Sequence, residues 1–122
     1  MENREETRLN LGRNGEDSAA RYLKKHRYVI LDRGVRLLRG EIDIVARDGS
    51  TIVFIEVKTR KGLGYGSPSA SVTAAKRRQV RRIAQYYLVR HGLGAEFCRF
   101  DVISILVDEA GSVRLEHLKD AF

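Results

Sequence analysis

The sequence predicts an α/β sandwich with the element order α-β-β-β-α-β-β. Two segments place apolar residues at the spacing of an amphipathic helix, and five shorter segments have the Ile- and Val-rich composition of strands. Apolar residues stand on both faces of the central predicted strands, so we expect helices to cover the sheet on both sides. A chain of 122 residues suits one hydrophobic core. We therefore expect a flexible N-terminal tail over residues 1–12 and a single domain over residues 13–122.

The first helix is predicted from residue 14 to about residue 26. Asn14 is a suitable N-cap, and an apolar stripe begins at Ala19. Glu16 falls one turn before that stripe, so its side chain should point toward the core side of the helix start. A carboxylate in such a position needs a partner.

Three strands and a hairpin follow the first helix. Asp48-Gly49 lies between the last two strands and is a strong hairpin signal, because both central positions of the tight turn need positive φ. These two strands should therefore pair antiparallel. Residues 59–69 are interpreted as a long glycine-containing loop after the hairpin. The predicted elements after the first helix are strands at 28–35, 41–47 and 51–58, a helix at 71–90, and strands at 97–107 and 113–118.

The predicted hairpin register gathers charged side chains on one face. A two-residue loop puts Glu41 opposite Glu56. The same count puts Asp43 opposite Phe54, and Lys58 lies about 6 to 7 Å beyond Glu56 along its strand. Directly opposed carboxylates destabilise a sheet pair, so a positive group should hold them there.

A divalent cation is one candidate for that positive group. Mg²⁺ prefers oxygen ligands and takes one or two carboxylates while it keeps several waters. On this hypothesis Asp43 and Glu56 bind a metal that activates water for attack on a phosphodiester, and Glu16 is a further candidate ligand. Lys58 then orients the water or neutralises the developing oxyanion. The alternative is a salt bridge from Lys58 to Glu56 or Glu41 on a solvated face.

The charge balance favours an anionic partner. Lys and Arg number 23 against 16 Asp and Glu, which gives a net charge of +7. Nucleic acid is the first candidate, although an acidic protein or an anionic lipid would satisfy the same arithmetic. Like charges crowd the second helix at the unfavourable i, i+4 spacing, and a phosphate backbone would relieve that repulsion; a solvated cationic face is the alternative. The predicted nucleic-acid-binding residues are Arg60, Lys61, Lys76, Arg77, Arg78 and Arg81.

Several other classes of site and location have no support in the sequence. Cys98 is the single cysteine, so it forms neither an internal disulfide nor a cysteine-based zinc site. Residues 1–8 carry charges of both signs and no apolar run, so we expect no signal peptide and a cytoplasmic location. Asp101 could approach the sheet site, but pairing with Arg99 is the simpler expectation.

The spacing of the acidic residues resembles a known nuclease motif. Asp43, followed after twelve residues by Glu56-Val57-Lys58, resembles the D-(x)n-(D/E)-x-K core of the restriction-endonuclease-like, or PD-(D/E)XK, superfamily. The segments 14–16, 40–43 and 54–60 together are similar to the uncharacterised bacterial YraN-like family, and the resemblance extends to 76–79, 99–102 and 121–122. That family is similar in fold to archaeal Holliday junction resolvases. The resemblance implies a restriction-endonuclease-like sandwich with a central mixed five-stranded sheet, a metal site and often a homodimer.

The resemblance also implies roles for individual residues. It makes Glu16, Asp43 and Glu56 ligands of Mg²⁺ or Mn²⁺, makes Lys58 the catalytic lysine, and brings Lys76 and Gln79 near the site. Helical packing is the simpler account of Gln79, and Ile42 stands where the superfamily usually has proline. We therefore expect a metal-dependent endonuclease acting on structured DNA. The alternatives are a non-catalytic nucleic-acid-binding adaptor on a nuclease-like scaffold and a basic protein-interaction module.

Overall fold

Five strands form one mixed sheet, with a helix against each face. The computed structural model describes the backbone of residues 4–61 and 72–122, and the side chains from Gly15 onward within those ranges. The elements are α1 (Arg4–Lys25), β1 (Val29–Leu37), β2 (Gly40–Asp48), β3 (Thr51–Lys61), α2 (Ala74–Arg90), β4 (Phe97–Val107) and β5 (Val113–Leu118). The strands lie in the order β1-β2-β3-β4-β5, with β3 and β4 parallel and the other neighbours antiparallel. The predicted element order is confirmed.

The central strand β3 is buried on both faces. Ile52 and Phe54 pack in the cluster beneath α2, whereas Val53 and Ile55 pack in the cluster beneath α1. A parallel β3–β4 pair needs a crossover connection, and α2 supplies the helix of that crossover. The expectation of a sheet covered on both sides is therefore confirmed.

The helix α1 begins ten residues before its predicted start. It includes residues 4–12, where a tail was predicted, and Asn14 lies inside the helix rather than at its N-cap. The segment before Asn14 is rich in Glu, Arg and Leu, which are good helix formers. Extending an existing helix is far easier than nucleating a new one, so these residues continue the helix toward its N-terminus.

The β2–β3 turn differs from the predicted turn by one residue. Asp48 pairs with Thr51, so the two loop residues are Gly49-Ser50 and not Asp48-Gly49. Gly49 has a φ of +60°. A hairpin turn with positive φ at its first central position needs glycine only there, and Gly49 supplies it.

The turn moves the hairpin register by two residues. Phe54 pairs with Val45, so the prediction that it faces Asp43 is wrong. Glu41 pairs with Arg36 on β1, so the prediction that it faces Glu56 is also wrong.

The remaining boundaries are close to those predicted. Both β4 and β5 have the predicted limits, and α2 begins at Ala74 with Thr73 as its N-cap. Residues 59–61, predicted as loop, belong to β3, and the rest of the predicted loop lies outside the described residues. Neither α1 nor α2 has the length and apolar character needed to cross a bilayer.

Candidate functional site

The site lies where β2 and β3 separate. Their last paired residues are Ile44 and Ile55; beyond them β2 pairs only with β1, and β3 only with β4. Ile42 packs on the α2 side and Ile44 on the α1 side, although residues two apart in a regular strand share a face. Strand β2 is therefore irregular at Asp43, which stands at the mouth of the gap between the strands.

The Asp43 carboxylate bridges this gap. Its Oδ2 accepts a hydrogen bond from the Val57 backbone N–H at 2.8 Å. That N–H has no ladder partner on β2, so the aspartate side chain takes the place of a backbone acceptor. The contact fixes the orientation of the Asp43 side chain.

Glu56 is a buried carboxylate with few partners. It is 4% exposed, and the Lys76 ammonium on α2 lies 3.9 Å from Oε1. Within the described residues, Oε1 has no hydrogen-bond donor. Native proteins rarely leave a buried carboxylate oxygen unsatisfied, so this atom is one that a bound cation would satisfy.

The two carboxylates oppose each other's ionisation. Burial and, after it, the neighbouring Asp43 carboxylate raise the pKa of Glu56 to about 7, against the attraction of Lys76 and Lys58. Burial also raises the pKa of Asp43, and the hydrogen bond from Val57 partly offsets this rise. The raised pKa values mean that the two ionised carboxylates are unfavourable without a nearby positive charge. A cation bound between them would stabilise their ionised forms.

Glu16 is held beside this pair by close helix packing. A Cβ on Gly15 would collide with the Thr59 side chain, so the glycine lets α1 approach the end of β3 closely. Glu16 accepts a hydrogen bond from Arg33 Nε at 3.0 Å, and Asp17 accepts one from the same guanidinium at 2.6 Å. The sequence predicted that Glu16 needs a partner, and that partner is Arg33. The negative charge of Glu16 still contributes to the raised pKa of Asp43.

The donor set suits a hard divalent cation. Among the described residues, no three His, Cys, Asp or Glu side chains are grouped closely enough to enclose a metal by themselves. Mg²⁺ requires less than such a cage, because one or two carboxylates and several waters complete its shell. Asp43 and Glu56 meet that requirement, and Oε1 of Glu16 accepts its hydrogen bond from Arg33.

The two lysines near the pair occupy different positions. Lys58 lies two residues beyond Glu56 on β3 and forms no ion pair within the described ranges, so the alternative of a salt bridge to Glu56 or Glu41 is not observed. Lys76 approaches Glu56 from α2, as the resemblance implied. Gln79 instead donates from Nε2 to the Arg39 carbonyl oxygen at 3.3 Å.

The predicted nucleic-acid-binding residues divide into three groups. Arg81 and Arg77 lie over aromatic rings, at 5.0 Å from the Phe100 centroid and 5.6 Å from the Phe122 centroid respectively. Arg78 and Lys76 line a surface cavity of about 620 Å³. Arg60 and Lys61 lie at the end of β3. The residues lining the cavity are Ala75, Lys76, Arg78, Gln79 and Arg82.

A second buried carboxylate, Asp101, lies on β4 and is fully paired. It accepts hydrogen bonds from Arg99 at 2.9 Å and from the Asp120 backbone N–H at 2.9 Å, and it lies 2.7 Å from His117 Nε2. Burial alone would raise the pKa of Asp101, but these hydrogen bonds outweigh it and lower the pKa. The predicted Arg99 pairing is confirmed, whereas His117, whose Nδ1 lies 3.0 Å from the Tyr22 hydroxyl, was assigned no role.

Comparison with known proteins identifies the family. A family model described as "Uncharacterised protein family UPF0102" matches residues 15–105, which include Glu16, Asp43, Glu56 and Lys58. The chain belongs to the UPF0102 family. The predicted membership of the YraN-like family is thereby confirmed.

Relatives in the UPF0102 family match along most of their length. A UPF0102 protein of Geobacter sulfurreducens is 50% identical over 112 residues, covering 92% of this chain and 88% of the relative. One from Rhodococcus jostii is 46% identical over 114 residues, covering 93% and 97%. One from Symbiobacterium thermophilum is 45% identical over 112 residues, covering 92% and 95%. These names give the family and no reaction.

Proposed function

We propose that this UPF0102 protein is a divalent-metal-dependent nuclease that hydrolyses phosphodiester bonds in structured DNA. The proposal depends mainly on the buried Asp43–Glu56 pair, in which both carboxyl groups have a raised pKa and one glutamate oxygen has no hydrogen-bond donor among the described residues. A purely structural carboxylate pair would gain nothing from this arrangement. The net charge of +7 and the resemblance to Holliday junction resolvases support DNA as the substrate.

Asp43 and Glu56 would hold Mg²⁺ or Mn²⁺, with Glu16 as a further candidate. When bound, such an ion polarises a phosphate oxygen and lowers the pKa of a coordinated water. The Val57 N–H holds the Asp43 side chain in place throughout, because its hydrogen bond to Oδ2 is independent of any ligand. Preorganised ligands of this kind reduce the entropy lost on binding.

The lysines supply positive charge around the two carboxylates. Lys58 orients the attacking water or donates to a non-bridging phosphate oxygen, where negative charge increases in the transition state. Lys76, whose ammonium lies 3.9 Å from Glu56 Oε1, favours the ionised form of that glutamate.

Metal binding is tested first by calorimetric titration of Mn²⁺ and Mg²⁺ into the wild type, Asp43→Asn and Glu56→Gln. Glu109→Gln, in the exposed turn before β5, is the matched control for removing one acidic charge. We expect binding by the wild type and the control, and loss of binding by both site variants, because each removes a charged ligand of a two-carboxylate site.

Cleavage of a four-way junction and of linear duplex arms with the same sequence then tests the activity. We expect metal-dependent cleavage of the junction by the wild type and none by Asp43→Asn. Equal cleavage by a carefully purified Asp43→Asn protein would refute the assignment. Salt-sensitive DNA binding without metal binding or cleavage would instead establish the non-catalytic adaptor, and absence of DNA binding would leave the protein-interaction module.

A further inference from the structure

The turn between β1 and β2 presents an apolar side chain between arginines. Leu37 pairs with Gly40, so Leu38 and Arg39 are the two turn residues, with φ of +51° and +62°. Such a turn usually carries Asn or Gly, because left-handed backbone is unfavourable for residues with larger side chains. Here the turn instead holds a leucine that is 42% exposed and an arginine. Strained backbone of this kind is often found at functional positions.

This turn is held rigidly against α2. A Cβ on Gly40 would lie 2.6 Å from Ile83 Cδ1 and 2.7 Å from Gln79 Cδ, so the backbone touches the helix directly. Gln79 also donates a hydrogen bond to the Arg39 carbonyl oxygen at 3.3 Å. The backbone of the turn is therefore packed against side chains of α2.

The turn borders a basic groove, and one residue of that groove, Lys76, also approaches Glu56. A cavity of about 480 Å³ is lined by both the turn and α2, and it shares Lys76 and Gln79 with the 620 Å³ cavity on α2. Lys76 lies where the two cavities meet, and its ammonium is 3.9 Å from Glu56. We define the basic groove by its cations, Arg36, Arg39, Lys76, Arg78 and Arg82. Glu41 also lines it, 3.9 Å from Arg36 Nε, in an exposed ion pair that a phosphate would replace.

We propose that Leu38 is a wedge that enters the base stack of DNA at a branch point while Arg36 and Arg39 hold the flanking phosphates. The inference rests on the proposed nuclease function and names its substrate class, DNA in which stacking is already interrupted. Apolar side chains flanked by cations unstack base steps in this way in DNA-bending proteins. Unstacking is easiest where a branch has removed one stacking partner.

The position of the turn is consistent with this role. Asp43 lies three residues beyond Gly40 on β2, ~10 Å along the strand. That length corresponds to about three base steps at ~3.4 Å each. An apolar side chain flanked by cations suits a base step flanked by phosphates, and DNA is therefore the occupant that we propose.

The test places 2-aminopurine at the branch of a four-way junction and at the same sequence position in a linear duplex. Its fluorescence rises when the base leaves the stack. Measurements are made in EDTA, where the proposed cleavage cannot proceed, and fluorescence anisotropy gives Kd for each DNA. Leu38→Asn removes the apolar side chain but keeps a residue that suits left-handed backbone. Leu31→Asn, at a leucine of 38% exposure on β1 outside the groove lining, is the matched control.

We expect the wild type and Leu31→Asn to raise the fluorescence of the junction, and Leu38→Asn to abolish the rise. Leu38→Asn should weaken junction binding by about tenfold and duplex binding by less than about twofold. Retention of both the fluorescence rise and the junction affinity by Leu38→Asn would overturn the wedge while leaving the nuclease proposal intact. If the wild type binds neither DNA at low salt, the proposed function itself fails, and the wedge with it.

Discussion

Two carboxylates are buried on neighbouring central strands, Glu56 on β3 and Asp101 on β4, and their surroundings have opposite effects. Asp101 has no exposed surface, but Arg99, His117 and the Asp120 N–H surround it, and its pKa is lowered. Glu56 is 4% exposed, has one ammonium group 3.9 Å away, and its pKa is raised to about 7. Burial is therefore similar, and the number of donors decides whether the charged form is stable.

The comparison separates a carboxylate that is paired within the chain from one that we propose receives a ligand. A protein can stabilise a buried acid with donors from its own chain, as the β4 site does. Leaving such an acid poorly paired reduces the free energy of unfolding, which is acceptable only where the site must receive something. The predictions below test this distinction, starting with the largest effect.

Removing Asp101 should cause the largest loss of stability. Asp101→Ala leaves the Arg99 guanidinium, the His117 ring and a backbone N–H without their acceptor in the interior. Breaking a buried charge pair from one side costs about 3–5 kcal/mol of unfolding free energy. Urea denaturation measures the loss, with Glu109→Ala in the exposed turn after β4 as the control. A loss below about 1 kcal/mol would show that this network is not structural.

Removing the charge of Glu56 should increase the free energy of unfolding, opposite to the effect of removing Asp101. The pKa of Glu56 is about 7 in the folded chain against 4.5 for an unperturbed glutamate, so the folded state holds the proton more tightly. The stabilisation that comes from protonated Glu56 is therefore fully present below pH 4.5 and is lost as the pH rises through 7. The glutamine in Glu56→Gln does not titrate. At pH 8 in EDTA we expect the free energy of unfolding of this variant to exceed that of the wild type by up to about 3 kcal/mol.

Urea denaturation of Glu56→Gln and the wild type across pH 4 to 8 checks this sign. The two proteins should differ little at pH 4 and most at pH 8. A Glu56→Gln protein that is less stable than the wild type at pH 8 would mean that Glu56 is a structural acid like Asp101.

The strand β3 and its acidic residues could be predicted from the sequence, because both depend on local sequence patterns. Consecutive apolar residues, rich in Ile and Val, predicted β3 and its burial on both faces, and the spacing from Asp43 to Glu56 and Lys58 predicted that these residues form one site. The hairpin register was wrong by two residues for a physical reason. A shift of two returns every side chain to the same face, so hydrophobic alternation does not detect it, and only the turn decides it.

The long-range contacts could not be predicted from local patterns. His117 meets Tyr22, which is 95 positions away, and Asp101, which is 16 away. These pairs depend on the β4–β5 register and on the packing of α1. Lys76 was connected to the site by family resemblance alone, because nothing in its own segment shows which cation of a basic helix turns toward β3.

A bound divalent cation should remove the electrostatic penalty at the Asp43–Glu56 pair. At pH 8, Mn²⁺ present at 100 times its Kd should raise the unfolding free energy of the wild type by ~2.7 kcal/mol. Asp43→Asn should lose this gain, whereas Asp101→Asn should keep it even though its baseline stability is lower. Thermal denaturation with and without Mn²⁺ measures both. An equal gain in Asp43→Asn would place the cation elsewhere.

The smallest effect should distinguish the two lysines near Glu56. Both attract its charged form and lower its pKa, and Lys76 does so more strongly than Lys58. Lys76→Met should therefore move the pH midpoint of the stability loss upward by up to about one unit, a modest shift because the Lys76 side chain is 31% exposed and partly screened. Lys58→Met should move the midpoint less, while reducing cleavage more because its proposed role is in the reaction. A larger midpoint shift in Lys58→Met would reverse the roles assigned to these two cations and would make Lys58 the principal partner of Glu56.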